Sequence, residues 1–299
     1  MPADATSEAA PAKINLALHV TGQRADGYHL LDSIVAFAGH GDRLIFSAAE
    51  HDSFSLGGRF GPLLSDKAEG KDGNLVLRAR DLLRQTLAEH GHMAGPVAIT
   101  LVKNLPVASG IGGGSADAAA ALRGLLRFWQ ASLPADRLSA IALKLGADVP
   151  MCLASRPLRA RGIGEEIDVL DSMPSFALVL ANPLKAVSTP DIFRRLTHKD
   201  HPPIGELPKE GDPSAWIAFL AGQRNDLEAP ARALLPEIAE ISDMLRNTGA
   251  RLVRMSGSGA TCFGIFNDRA SAEAAERQLA RLRPEWYFQA TETVARTRP

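Results

Sequence analysis

The sequence predicts a two-lobed α+β fold, and three observations carry that prediction. At 299 residues the chain is long enough for two hydrophobic cores. Strand-like and helix-like segments are partly segregated along it, which disfavours a regularly alternating parallel sheet. The pattern restarts after Pro157, and a stretch rich in Pro, Gly and charge at 199–213 reads as a surface loop or lobe boundary. The expected division is residues 1–157 and 158–299.

The first ten residues contain Asp4 and Glu8 and no basic residue. They match neither a secretory leader nor a basic transit peptide and are expected to form a frayed tail. Residues 13–20 alternate strictly, with Ile14, Leu16, Leu18 and Val20 on one face and Lys13, Asn15, Ala17 and His19 on the other. This is a strand with one buried side, and it sets Lys13 beside Asn15. Asp26-Gly27 supplies a turn before Tyr28 and His29. Residues 33–37, 43–47 and 97–103 read as further strands. Asn74 is placed to cap a helix carrying Leu75, Ala79, Leu83 and Leu87 that stops near Gly91. A second helix opens at Gly114-Ser115, and a third covers 135–145. Beyond Pro157 the expected order is a strand at 176–181, a helix from Thr189, helices at 213–222 and 226–247, strand–loop–strand across 251–266, a helix at 270–282 and a strand at 287–294.

Composition excludes several classes of function. Hydrophobic residues make up 45% and charged residues 22%, ordinary for a globular protein. A net charge of -1 offers no footprint for nucleic acid or a membrane surface. Cys152 and Cys262 are too few for a disulfide framework or a zinc site, which favours a reducing cytoplasm. No apolar run reaches the roughly 18–20 residues that span a bilayer.

The strongest feature is the run from Lys103 to Asp117, with Pro106, Gly110, Gly112, Gly113, Gly114 and Ser115 at its centre. A strand enters it and an apolar-faced helix leaves it. Glycines let backbone N–H groups approach a polyphosphate closely, and the positive end of the following helix favours the anion. A tight turn with Ser115 as a plain cap is the structural alternative. No Lys follows Gly113 or Gly114, so this is not a Walker A loop. The dinucleotide fingerprint is matched only in part: Ser115 stands where its last Gly or Ala belongs, and only Asp136 lies near the ribose-binding position.

The loop resembles the second motif of the GHMP small-molecule kinases. Three further segments resemble that family in order: 11–16 with 21–29, 145–150 around Asp148, and 256–261 (Ser-Gly-Ser-Gly-Ala-Thr). The Gly27-Tyr28-His29 and Ala147-Asp148-Val149-Pro150 segments are similar to a subfamily acting on a cytidine-diphosphate-linked alcohol in non-mevalonate isoprenoid synthesis. Ile111 stands for a usual Leu, and Ala108 and Ala116 for frequent Gly and Ser, leaving Ser115 as the remaining hydroxyl of that part of the loop.

The resemblance implies an N-terminal ribosomal-S5-like lobe, a C-terminal ferredoxin-like lobe, and ATP with Mg2+ as cosubstrate, the metal ligands being unspecified. It implies Lys13 and Asp148 as the catalytic pair, against a solvated strand end and a turn residue. Asn15, Tyr28, His29, Thr189 and Phe193 would meet the acceptor substrate, with Tyr28 and Phe193 stacking on the base and His29 bonding to it. Phe193 as a core residue, with Thr189 as a helix cap before Pro190, remains the structural alternative. Asn74 and Lys103 would border the adenine, against a helix cap and a surface lysine. Other GHMP kinases, such as homoserine or mevalonate kinases, a non-catalytic protein of the same fold, and a Rossmann oxidoreductase are the competing readings. Retention of Lys13 and Asp148 and the incomplete fingerprint speak against the last two.

Overall fold

The computed structural model describes residues 5–64 and 73–294. The described chain packs into two compact units. The first takes residues 5–12, 41–64, 73–107 and 112–155; the second takes 13–40, 108–111 and 156–294. The main break, at Ser155–Arg156, falls close to the expected division, but two earlier segments pack with the second unit.

The chain opens with β1 (Thr6–Gln23). The expectation of a frayed tail therefore fails from Thr6 onward. Arg123 Nε donates to Glu8 Oε1 at 2.7 Å, its Nη2 donates to Ala9 O at 2.9 Å, and Arg127 also pairs with Glu8. The expectation of one buried face fails as well, because Lys13, Asn15 and His19 are only 5%, 3% and 2% exposed. A strand covered on both sides must satisfy its polar groups inside the protein. The expected strands at 33–37 and 43–47 are one element, β2 (His29–Ala48).

In the first unit β3 (Ser53–Gly57) is followed by α1 (Leu75–Glu89), which Asn74 caps by accepting from Val76 N at 2.9 Å. Next, β4 (Val97–Val102) pairs antiparallel with Arg43–Ala48 of β2 and parallel with β3. The unit closes with α2 (Gly113–Phe128), α3 (Ala135–Leu145) and α4 (Val149–Ala154). α2 packs against both α1 and α4. Its run Ala116–Ala121, interrupted by Asp117, is buried, and small side chains let it lie close to its neighbours.

The second unit adds β5 (Leu158–Gly162) beside Leu31–Val35 of β2, and β6 (Glu166–Val169) beside β5. Neither strand was expected, for both are short and largely polar. The chain continues through β7 (Ala177–Asn182), α5 (Thr189–Arg194), α6 (Pro213–Ala221), α7 (Glu228–Leu234) and α8 (Glu237–Asn247). The single helix expected over 226–247 is broken at Leu235-Pro236, where proline cannot continue the backbone ladder. The last elements are β8 (Leu252–Met255), β9 (Cys262–Phe266), α9 (Arg269–Leu282) and β10 (Tyr287–Glu292). They build an antiparallel sheet in the order β10-β7-β9-β8 with α8 and α9 packed on it. That order is the ferredoxin-like arrangement, so the expected C-terminal architecture is present. The 199–213 stretch is irregular but pinned. Ile204 is buried, its N–H donates to Asp32 Oδ2 at 2.8 Å, and its carbonyl accepts from Arg159 at 2.6 Å.

Candidate active site

In the first unit the entry and exit of the glycine-rich loop are tied by buried charge. Lys103, just after β4, has its ammonium between Asp42 and Asp117, with the Asp117 contact at 2.7 Å. The other Asp42 oxygen accepts from Asn104 N at 2.5 Å and Leu105 N at 2.8 Å. Three residues of the strand exit are thus fixed to one carboxylate. Lys103 is therefore not a surface lysine: it is buried, with its ammonium engaged by two carboxylates. Sequence reading gave Asp42 and Asp117 no role. One signal was available: Asp117 is the only charged residue between Lys103 and Arg123, and it sits in the first turns of an apolar helix.

The loop then reaches Gly112, which stands at φ 64° before α2, with Gly113, Gly114 and Ser115 forming that helix's first turn. Their N–H groups lack partners i−4 within the helix, the arrangement that suits an anion. Asn74 is the cap of α1, as its structural alternative held, and Gly114 lies beside Leu75 at that helix's start.

In the second unit residues 108–111 meet the third glycine motif. Gly110 stands at φ 75°, and a Cβ there would lie 2.6 Å from Gly259 N, Gly259 O and Ser256 O. Ser256 Oγ donates to Gly110 O at 3.2 Å, and Thr261 N donates to Ser109 O at 3.1 Å. Lys13 joins the same segment through its backbone, donating to Ile111 O at 3.0 Å. The structure therefore gathers Lys13, Asn15, Gly110 and the 256–261 turn. Ala108, where glycine was the family expectation, holds φ 52°; an L-residue there costs about 1 kcal/mol.

His29 and Phe193 stack, ring centroids 4.6 Å apart. Phe193 also packs against the core of the second unit, which is the packing role its structural alternative gave it. Burial, aided by the Lys199 charge, lowers the His29 pKa, and its Nε2 is buried without a hydrogen-bond partner among the described residues. Tyr28 is 59% exposed after its turn. Thr189 does not cap α5; Ser188 does, accepting from Asp191 N at 3.4 Å. Thr189 Oγ1 instead lies 2.7 Å from Ser258 Oγ, which links the start of α5 to the third glycine motif.

Asp148 stands before α4 and does not cap it with its side chain. α4 is held from its far end by Arg123, which donates to Cys152 O at 2.8 Å and Leu153 O at 3.3 Å. Among the described residues no group of three or more His, Cys, Asp or Glu is arranged to hold a metal ion. No helix among them is long and apolar enough to cross a membrane.

A glycine loop leading into a buried-rooted helix, a second glycine turn and a ferredoxin-like C-terminal sheet define a GHMP-type small-molecule kinase architecture. Comparison with known proteins agrees. The GHMP kinases N terminal domain matches residues 74–156, and the GHMP kinases C terminal domain matches residues 206–284. A 4-diphosphocytidyl-2-C-methyl-D-erythritol kinase of Rhizobium leguminosarum bv. trifolii is 63% identical over 290 residues, covering 97% of this chain and 95% of its own. Its counterpart in Agrobacterium fabrum is 62% identical with 97% and 96% coverage. A crystal structure of 4-(cytidine 5'-diphospho)-2C-methyl-D-erythritol kinase matches with a TM-score of 0.77 at 34% identity, covering 97% of this chain and all of that one. A homoserine kinase of Cytophaga hutchinsonii, at 17% identity and TM-score 0.64 over 99% of this chain and 96% of its own, shares the fold. The chain belongs to the 4-diphosphocytidyl-2-C-methyl-D-erythritol kinase family.

Proposed function

We propose that this chain transfers a phosphoryl group from ATP to the 2-hydroxyl of 4-diphosphocytidyl-2-C-methyl-D-erythritol, giving the 2-phosphate and ADP. The observation that carries this is the 63% identity to a kinase of that name across nearly the whole of both chains. The reaction is a step of non-mevalonate isoprenoid-precursor synthesis, and a cytoplasmic location suits it.

The nucleotide falls to the lobe of 1–157, and 158–299 contributes to the acceptor side. Gly110, Gly112, Gly113, Gly114 and Ser115 offer backbone N–H groups to the triphosphate, with Pro106 setting the entry and Asn74 bordering the base. Phosphoryl transfer asks mainly for positioning and charge stabilisation. Lys13 supplies positive charge toward the acceptor hydroxyl and the transferring oxygens. Asp148 orients that hydroxyl and takes its proton late, as a loose transition state requires little early proton removal. Tyr28, His29, Phe193 and Thr189 hold the cytidine end, and Asn15 meets the alcohol.

Mg2+ enters as part of the MgATP substrate. The lack of a three-ligand cluster among the described residues suits a cation held largely by phosphates and water. Purified protein incubated with MgATP and the cytidine-diphosphate alcohol should release ADP in a coupled assay. Release with homoserine or mevalonate, and none with the cytidylyl substrate, would overturn the reading.

A further inference from the structure

The hydrogens around Asn15 can be accounted for one by one. Asn15 N donates to Ser256 Oγ at 3.1 Å, and Ser256 Oγ passes its own hydrogen to Gly110 O. Asn15 Nδ2 donates to Ser33 Oγ at 2.7 Å. Ser33 Oγ donates to Ala17 O, also at 2.7 Å. A backbone carbonyl only accepts, so the single Ser33 hydrogen is committed there and only lone pairs face the Asn15 amide. The group that meets Ser33 must therefore be the NH2, and the amide cannot flip without breaking one of these two bonds.

The consequence lies at the other end of the amide. Asn15 Oδ1 is buried, on a residue 3% exposed, and has no hydrogen-bond partner among the described residues. A buried acceptor left unmet costs about 1–3 kcal/mol. It lies beside Gly257, whose missing Cβ would stand 3.4 Å from it. Strand alternation puts Asn15 on the Lys13 face of β1.

We propose that Ser33 is a positioning residue that locks the Asn15 amide so that Oδ1 faces the acceptor substrate as a hydrogen-bond acceptor. The site thereby selects a hydroxyl-bearing alcohol, whose O–H donates to Oδ1, over an analogue lacking that donor. This rests on the proposed function for the identity of the alcohol, but not for the orientation of the amide. Ser33 touches no reacting atom; it acts through Asn15.

Two measurements test it independently. In the 15N spectrum of the full chain without substrate, the Asn15 side-chain NH2 should exchange slowly with solvent. Ser33→Ala should make it exchange fast and, by leaving the Asn15 NH2 and Ala17 O unmet, lower the melting temperature, while ATP binding by the folded protein stays near wild type. A fast-exchanging Asn15 amide in the wild type, or one unchanged in Ser33→Ala, would overturn the orientation whatever the enzyme's substrate is. In steady-state assays Ser33→Ala should lower kcat/KM for the cytidylyl alcohol by about tenfold, leave the KM for ATP within about twofold, and be restored by Ser33→Thr. The same substitution in an Asn15→Ala background should cost nothing further. An equal loss in that background would mark Ser33 as merely structural and overturn the proposal. A wild type that ignores the cytidylyl alcohol while keeping the protected amide would sink the functional reading alone.

Discussion

Lys103 Nζ lies 2.7 Å from Asp117 Oδ2, and this contact joins the end of β4 to the first turns of α2 across the glycine-rich loop. Asp42 shares the same ammonium, so two carboxylates surround one cation in a site closed to water. Burial pushes the Asp117 carboxyl up, to about 7; Lys103 opposes that shift and Asp42 adds to it. Removing one partner of a buried pair is costly because the other charge stays behind. Lys103→Met should therefore destabilise the fold by about 3–5 kcal/mol in urea unfolding and raise the KM for ATP.

Asp117 gives that network a pH signature. A carboxyl whose folded pKa lies above its unfolded value of about 3.9 favours the fold most below that pH. The contribution is lost as pH rises through about 7. Wild-type stability, measured relative to Asp117→Asn, should therefore decline from about pH 4 to neutrality. Parallel stability curves for the two proteins would contradict this.

The loop's backbone makes an opposed pair of predictions. Gly110→Ala forces a Cβ to within 2.6 Å of three backbone atoms at a left-handed φ. No rotamer relieves a backbone clash, so this variant should lose folded yield or activity. Ala108→Gly removes strain at φ 52° and should raise stability by about 1 kcal/mol, seen as a higher urea midpoint.

His19 predicts sensitivity to acid. Its Nδ1 lies 3.1 Å from Pro202 O, and its Nε2 accepts from Arg224 N at 3.4 Å, which fixes a neutral ring with Nδ1 as donor. Burial lowers its pKa, and the Arg224 charge adds to that; Pro202, Asp226 and Asp32 oppose it. With the folded value depressed, the stabilisation is complete above the unfolded pKa of about 6.5 and is lost as pH falls below it. Unfolding of wild type at pH 7.5 and 5.5 should show this loss, and His19→Gln should reduce it.

Much of this was legible in the sequence because it depends on local chemistry. The Asn74 cap, the helix over residues 135–145 and the strand–loop–strand before Phe266 follow from residue type and period alone. Packing decided the rest. The β1 pattern suggested a solvent face, yet Lys13, Asn15 and His19 are buried, since alternation cannot reveal what covers the second side. β5 and β6 are too short and polar to show a period. The roles of Asp42 and Ser33 depend on partners 61 and 18 residues away. A single sequence has no means of pairing such positions.

The His29–Phe193 stack bears on base recognition. A cytosine held by these rings must displace or extend the 4.6 Å stack, and base–aromatic stacking is worth about 1–3 kcal/mol. Phe193→Ala should raise the acceptor KM by roughly 5- to 150-fold with the ATP KM unchanged. Because Phe193 also touches the core, Phe193→Leu separates the two effects: it restores packing but not stacking, so its melting should recover while its acceptor KM stays high.

Lys13 and Asp148 carry the decisive test of the chemistry. The Lys13 contact to Ile111 uses its backbone, so truncating the side chain leaves the attachment of the loop segment in place. Asp148→Asn keeps the size and shape of the side chain, and Arg123 holds α4 from its other end, so a thermal melt checks its folding beside the kinetics. If the carboxylate orients the hydroxyl and takes its proton, Asp148→Asn should lower kcat by about 100-fold or more with the KM for ATP within about twofold. If the Lys13 charge meets the transferring oxygens, whose charge is redistributed in the transition state, Lys13→Met should also lower kcat. If both residues serve the same transfer step, the double variant should be little worse than the poorer single one. Near-normal turnover by Asp148→Asn would remove it from the mechanism.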